Sequence, residues 1–272
     1  MKNLRAIIRF LAMCGVMVGS YSCWVLGQPF VFAFPSVARR WRKLNFGGWA
    51  RASAAILGMR VNVRNAPPTA PFLLVSNHLS YVDIIVLESL VDCAFIAKSE
   101  LASWPILGFI SRTLNTIFID RSRKRDILQA MERADRALAR GLGVVLFAEG
   151  TSTQGKTVSP FKSSLLEIAA RRSTPVHYVT LSYRSPADEP AADQTVSWWG
   201  DMTFFGHLFQ LLQLPRFEAN VVFGPKPIIA DDRHVLAEKL WSAVSSQLKV
   251  SRLETTAKKI QLDRMPAAVK SG

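Results

Sequence analysis

The sequence predicts an α/β domain, a mixed and largely parallel sheet flanked by helices, behind an N-terminal hydrophobic helical segment that anchors in a membrane. Three observations carry this expectation. From residue 72 onward, short apolar runs alternate with helical patterns, the signature of layered α/β architecture. Residues 10–37 carry no charge. A chain of 272 residues has room for one sizeable domain plus an appendage, but not for two full domains.

The uncharged stretch is long enough to span a bilayer, which needs about 20 apolar residues. Lys2, Arg5 and Arg9 precede it, and Arg39, Arg40, Arg42 and Lys43 follow it. Basic flanks on both sides give no orientation, since the positive-inside rule works through asymmetry. Pro29 and Pro35 interrupt the pattern near its end. A tilted span and a segment kinked near Pro29 that returns to the same face both fit. A cleaved signal peptide is the rival reading, but no A-x-A site follows a short apolar core. The basic, Trp-containing run after it, from Trp41 to Arg60, has the spacing of an amphipathic helix lying on the membrane or on the domain.

Pro67, Pro68 and Pro71 then lead into the first expected strand, residues 72–76. Further strands are expected at 93–97, 116–119, 144–147, 176–181 and 220–223, and helices at 82–90, 124–138, 163–170 and 235–248. The chain accordingly divides into an anchor and basic amphipathic helix (1–60), an α/β domain (61–250) and a basic C-terminal tail (251–272).

Charge and cysteine usage narrow the class. Lys and Arg number 34 against 20 Asp and Glu, a net charge of +14. A surface this basic attracts polyanions. No zinc-ligand spacing or RNP motif accompanies the charge, and the apolar N-terminus points to an anionic membrane surface rather than nucleic acid. Cys14, Cys23 and Cys93 are too few and scattered for a disulfide framework or metal cluster. A domain facing the reducing cytosol is expected.

One constellation carries chemistry. Asn77-His78-Leu79-Ser80-Tyr81-Val82-Asp83 lies at the end of the first expected strand, where ligand sites gather in α/β sheets. His78 and Asp83, five positions apart across a strand-to-helix turn, can bring imidazole and carboxylate together. The carboxylate would fix the tautomer and stabilise the imidazolium, which is what activating an alcohol requires. Ser80-x-x-Asp83 is also a helix-capping pattern, which explains the Asp without chemistry. Downstream stand Ile117-Phe118-Ile119-Asp120-Arg121, Phe147-Ala148-Glu149-Gly150-Thr151 and Thr174-Pro175-Val176-His177-Tyr178-Val179. His177, His207 and His234 have no matching acidic partner.

In order and spacing these four blocks resemble those of the glycerolipid acyltransferase family, which includes the lysophosphatidic acid acyltransferases. The resemblance implies His78 as catalytic base and Asp83 as its orienting acid. It implies acceptor binding by Arg121, Glu149, Gly150 and Thr151; outside the family's blocks, this sequence's own Lys156 and Lys162 offer compensating positive charge. It also implies a lysolipid acceptor, an acyl-CoA or acyl-ACP donor and no metal or cofactor. The expected product is phosphatidic acid, made from 1-acyl-sn-glycerol-3-phosphate. The third block departs from the family's usual Phe-Pro-Glu-Gly-Thr-Arg: Ala148 replaces Pro, and Ser152 replaces a phosphate-gripping Arg. That departure, with Trp198-Trp199-Gly200-Asp201-Met202, is similar to a bacterial subgroup containing lyso-ornithine lipid acyltransferases. A non-catalytic membrane-surface protein would not need the His78–Asp83 pair. A hydrolase of the usual α/β kind would need a G-x-S-x-G elbow, which the sequence lacks.

Overall fold

The computed structural model describes residues 1–34, 37–104, 108, 109, 111, 112, 116–120 and 124–263. Helix α1 (Lys2–Ala33) runs on past Pro29, and α2 (Ala38–Ile56) packs back along it. The Ser20 hydroxyl donates to the Asn45 side-chain oxygen at 2.5 Å, and the Trp24 and Phe46 rings meet at 4.9 Å. The chain therefore turns back on itself after Ala33, not at Pro29. Leu4, Ile7, Leu11, Val18, Leu26 and Phe32 of α1 are exposed. Its most apolar 18-residue window has mean hydropathy 1.6 and is only 6% buried, a composition and exposure suited to lipid.

The buried face of α2 carries Phe46, Trp49, Ala50 and Ala54 against α1 and helix α3 (Val82–Leu90). Arg42, also buried, donates to Asp92 and to the Cys93 carbonyl, tying the hairpin to the start of a central strand. Seven strands form one sheet: β1 (Met59–Arg64), β2 (Leu73–Ser76), β3 (Cys93–Lys98), β4 (Ile117–Ile119), β5 (Gly143–Phe147), β6 (Val176–Arg184) and β7 (Phe217–Phe223). Their order is β1-β7-β6-β2-β5-β3-β4. Strands β6, β2, β5, β3 and β4 are mutually parallel, and β7 reverses against β6. The expected mixed, largely parallel sheet is present.

Side chains alternate across the pleat. Leu74, Val145 and Leu181 join the core under α1, α2 and α3, while Val75, Val144 and Leu146 join a second core. That second layer is covered by α4 (Lys124–Ala139), α5 (Glu167–Arg171) and α8 (Arg233–Asp263). In chain order α6 (Ala192–Thr195) and α7 (Phe204–Gln213) fall between α5 and α8, but they join the first core, with α7 packed on α1. Strand β1 begins two residues before the expected domain boundary at 61, and α8 runs through the boundary at 250.

Candidate active site

Strand β2 is central, so the residues leaving its carboxyl end emerge between β5 and β6. Asn77 prolongs the β2–β6 pairing with its side chain: the Leu181 N–H donates to its oxygen at 2.8 Å, and its amide donates to the Leu181 carbonyl at 2.9 Å. The backbone is thus fixed one residue before His78. The turn that follows opens α3, which carries Asp83 in its first turn.

His78 and Asp83 meet, with Nδ1 and Oδ2 2.7 Å apart. The same Oδ2 accepts the N–H groups of Leu79 at 2.7 Å and Ser80 at 3.1 Å. Asp83 therefore ties down the two residues that lead into α3 and faces the imidazole at once. The Asp83 side chain is fully buried, and that of His78 is 23% exposed. The imidazole lies flat on Phe147, centroids 4.1 Å apart. With Nδ1 engaged by a carboxylate, Nε2 is the edge left to take a proton from a hydroxyl.

Glu149 reaches the same turn from β5, but through the backbone. One oxygen accepts the His78 N–H at 2.7 Å, the other the Ser159 N–H at 2.7 Å. The residue is 3% exposed. Burial pushes its carboxyl pKa above the usual range, and the two N–H donors pull it back. Gly150 then turns the chain at φ +84°, a left-handed conformation that favours glycine. The segment beyond it folds back over His78, whose carbonyl accepts the Thr153 N–H at 2.9 Å. Gly155 packs so close that a Cβ there would lie 2.6 Å from Leu79 Cδ2.

Of the residues singled out from sequence, His78, Asp83 and Glu149 are brought into one hydrogen-bonded unit, with Gly150 and exposed Thr151 directly adjoining. Lys162 donates its N–H to the Ala148 carbonyl and leaves its side chain exposed. Arg121 lies outside the described residues. Lys156 pairs with Asp193 at 3.7 Å. Among the described residues no cluster of His, Cys, Asp and Glu is arranged to hold a metal ion. The Trp198 region forms a wall beside the turn. The Trp198 N–H donates to the Leu79 carbonyl, and the rings of Trp198 and Phe204 flank Tyr81 at 5.8 and 5.2 Å. Phe205 and Phe209 of the same aromatic run face outward.

Two side chains in contact with the pair are not singled out by the sequence. Phe147 supplies the stacking surface, and Tyr183 of β6 donates its hydroxyl to Asp83 Oδ1 at 2.6 Å. Phe147 opens the third block without a role assigned to it there, and Tyr183 carries no local signal, standing a hundred residues from its partner.

Known proteins resemble this chain along most of its length. Residues 60–183, which contain the whole constellation, match the family model described as Acyltransferase. A lyso-ornithine lipid O-acyltransferase of Rhizobium meliloti is 30% identical over 251 residues, covering 88% of this chain and 84% of that protein. Its counterpart in Brucella abortus is 33% identical over 83% of this chain and 89% of that protein. A 1-acyl-sn-glycerol-3-phosphate acyltransferase of Neisseria gonorrhoeae is 27% identical over 71% of this chain and 76% of that protein. The fold is shared with the crystal structure of the 1-acyl-sn-glycerophosphate acyltransferase PlsC from Thermotoga maritima, with TM-score 0.70 and 21% identity over 93% of this chain and 98% of that one. Relatives at 30% and 33% identity along most of its length place this chain in the acyltransferase family, and it is an enzyme of that family.

Proposed function

We propose that the protein transfers an acyl chain from a thioester, acyl-CoA or acyl-ACP, to the free hydroxyl of a lysolipid, with His78 as general base and Asp83 as its orienting acid. Nε2 takes the hydroxyl proton as the oxygen attacks the thioester carbonyl. The C–O bond forms, the C–S bond breaks, and the imidazolium returns its proton to the departing thiolate. A thioester is already activated, so direct attack needs no covalent enzyme intermediate. In this reading Glu149 acts on the turn that carries His78, while Arg121, Thr151 and Lys162 meet the acceptor.

For the acceptor we favour lyso-ornithine lipid. The observation that carries this choice is Ser152. Its neighbour Thr153 is bonded to the His78 main-chain carbonyl, so residue 152 belongs to the segment that folds over residue 78, and the family's usual Arg at this position would grip a phosphate. A serine there suits a headgroup that is not a phosphomonoester. The names of the Rhizobium and Brucella relatives support the same choice. Lysophosphatidic acid is the second reading, favoured by the exposed cations Lys98 and Lys162 at the carboxyl edge of the sheet. Purified protein, given an acyl thioester and both lysolipids, is expected to release thiol and form product faster with lyso-ornithine lipid. Turnover with lysophosphatidic acid alone would reverse the choice and leave the chemistry standing.

We place the domain on the cytosolic face of the membrane, where its thioester donors are. Deleting residues 1–37 should abolish most salt-resistant flotation with anionic vesicles and leave a weaker, salt-sensitive fraction held by the basic surface. Circular dichroism checks that the truncated protein is folded. Undiminished salt-resistant flotation would show that α1 is not the anchor.

A further inference from the structure

The Asp83 carboxylate is held unevenly. Oδ2 accepts three donors, the His78 ring and the N–H groups of Leu79 and Ser80. Oδ1, equally buried, accepts the phenol of Tyr183 at 2.6 Å. That phenol comes from a different layer of the molecule. Tyr183 stands near the end of β6, two residues beyond Leu181, whose backbone is locked to Asn77. Its ring is braced edge-on against Phe217 of β7 at 6.1 Å. The hydroxyl is therefore aimed by the sheet, while the carboxylate it meets is aimed by a helix start. Burial, and then the charge of Asp83, hold the phenol pKa well above its ordinary value, so it remains a donor.

We infer that Tyr183 is a positioning residue of the acyl-transfer site, the third member of a Tyr183–Asp83–His78 relay whose hydroxyl sets the basicity of the Asp83 carboxylate and, through it, of the imidazole. The inference rests on the reading of His78 as general base. Its physical basis is the cost of the alternative. A carboxylate oxygen buried without a donor is strongly disfavoured. Without the phenol, the N–H groups of Leu79 and Ser80 still hold Oδ2 at the ring nitrogen, while Oδ1 stays bare and the group becomes more basic. Greater basicity makes Asp83 hold the imidazolium proton more tightly, because a hydrogen bond to a charged form is what keeps that form weakly basic. The base is then degraded while the acceptor's binding surface is untouched.

The test is Tyr183→Phe, which keeps the ring against Phe217 and removes only the hydroxyl. Thr180→Val controls for the loss of a buried hydroxyl on the same strand, since Thr180 is 1% exposed and bonds Gln247 at 2.7 Å on the far side of the sheet from the site. The Phe variant is expected to lose about tenfold in kcat, the scale of one hydrogen bond to a charged group, with acceptor KM within about twofold. The acid limb of its pH–rate profile should move to higher pH. The control should keep the wild-type kcat and profile.

A second readout does not depend on turnover. In ring-labelled protein, the His78 signal, assigned by its disappearance in His78→Ala, should titrate at higher pH in Tyr183→Phe than in wild type. If the His78 titration and the pH profile are both unchanged, the relay is overturned and Tyr183 is only a buried phenol. If wild type shows no turnover with any lysolipid while the His78 titration still shifts, the relay stands and it is the acyl-transfer reading that fails.

Discussion

His78→Ala is expected to lower turnover by about two to four orders of magnitude, the range a positioned general base supplies. The structure also says why the fold should survive. The contacts that organise the turn run through the main chain of residue 78: its N–H donates to Glu149, and its carbonyl accepts from Thr153. Alanine keeps both. What it removes is the ring on Phe147 and one of the three donors to Asp83 Oδ2. The remaining donors, Leu79, Ser80 and Tyr183, keep that carboxylate satisfied. The loss should therefore fall on kcat, with acceptor KM little changed and with near-wild-type thermal unfolding. Near-wild-type turnover in this variant would exclude His78 as the base.

Much of this arrangement is legible in the sequence, for identifiable reasons. Strands β2, β3 and β5 are buried on both faces and read as continuous apolar runs bounded by turn residues. The His78–Asp83 pair is local, so its spacing across a strand-to-helix turn is enough to suggest contact. Where sequence reasoning falls short, the signal is short, mixed or distant. Strand β1 is absorbed into the amphipathic pattern expected to reach Arg60, because Met59-Arg60-Val61-Asn62 continues the polarity of α2 without a gap; only Gly58, at φ +67°, marks the break. Helix α7 (Phe204–Gln213) is short and apolar through most of its length, so in the sequence its start merges with the aromatic run before it.

Residue roles separate the same way. Glu149 is expected at the acceptor from its block, yet it is buried with both oxygens taken by backbone N–H groups. A block that holds a glutamate beside a glycine looks the same in sequence whether the carboxylate faces substrate or its own chain. Tyr183 is invisible in the sequence because its partner lies across the sheet.

Asp83→Asn separates charge from geometry more sharply than removal of the side chain would, and is expected to lower kcat by about a hundredfold or more. Two backbone N–H groups, from Leu79 and Ser80, point at the Oδ2 position. An asparagine must therefore place its oxygen there and turn its NH2 group toward Tyr183, whose phenol oxygen can accept. In that orientation His78 Nδ1–H still has its acceptor, so the tautomer is retained and only the negative charge is lost. Without that charge the imidazolium formed on proton transfer is no longer stabilised, and the acid limb of the pH profile should move to lower pH, opposite in sign to the shift expected for Tyr183→Phe. The double variant gives the decisive comparison. If Tyr183 acts through the Asp83 carboxylate, removing its hydroxyl in the Asp83→Asn background should change kcat by less than about twofold, well short of the tenfold expected alone, since members of one network are not additive. Full additivity of the two losses would mean that the phenol and the carboxylate act independently.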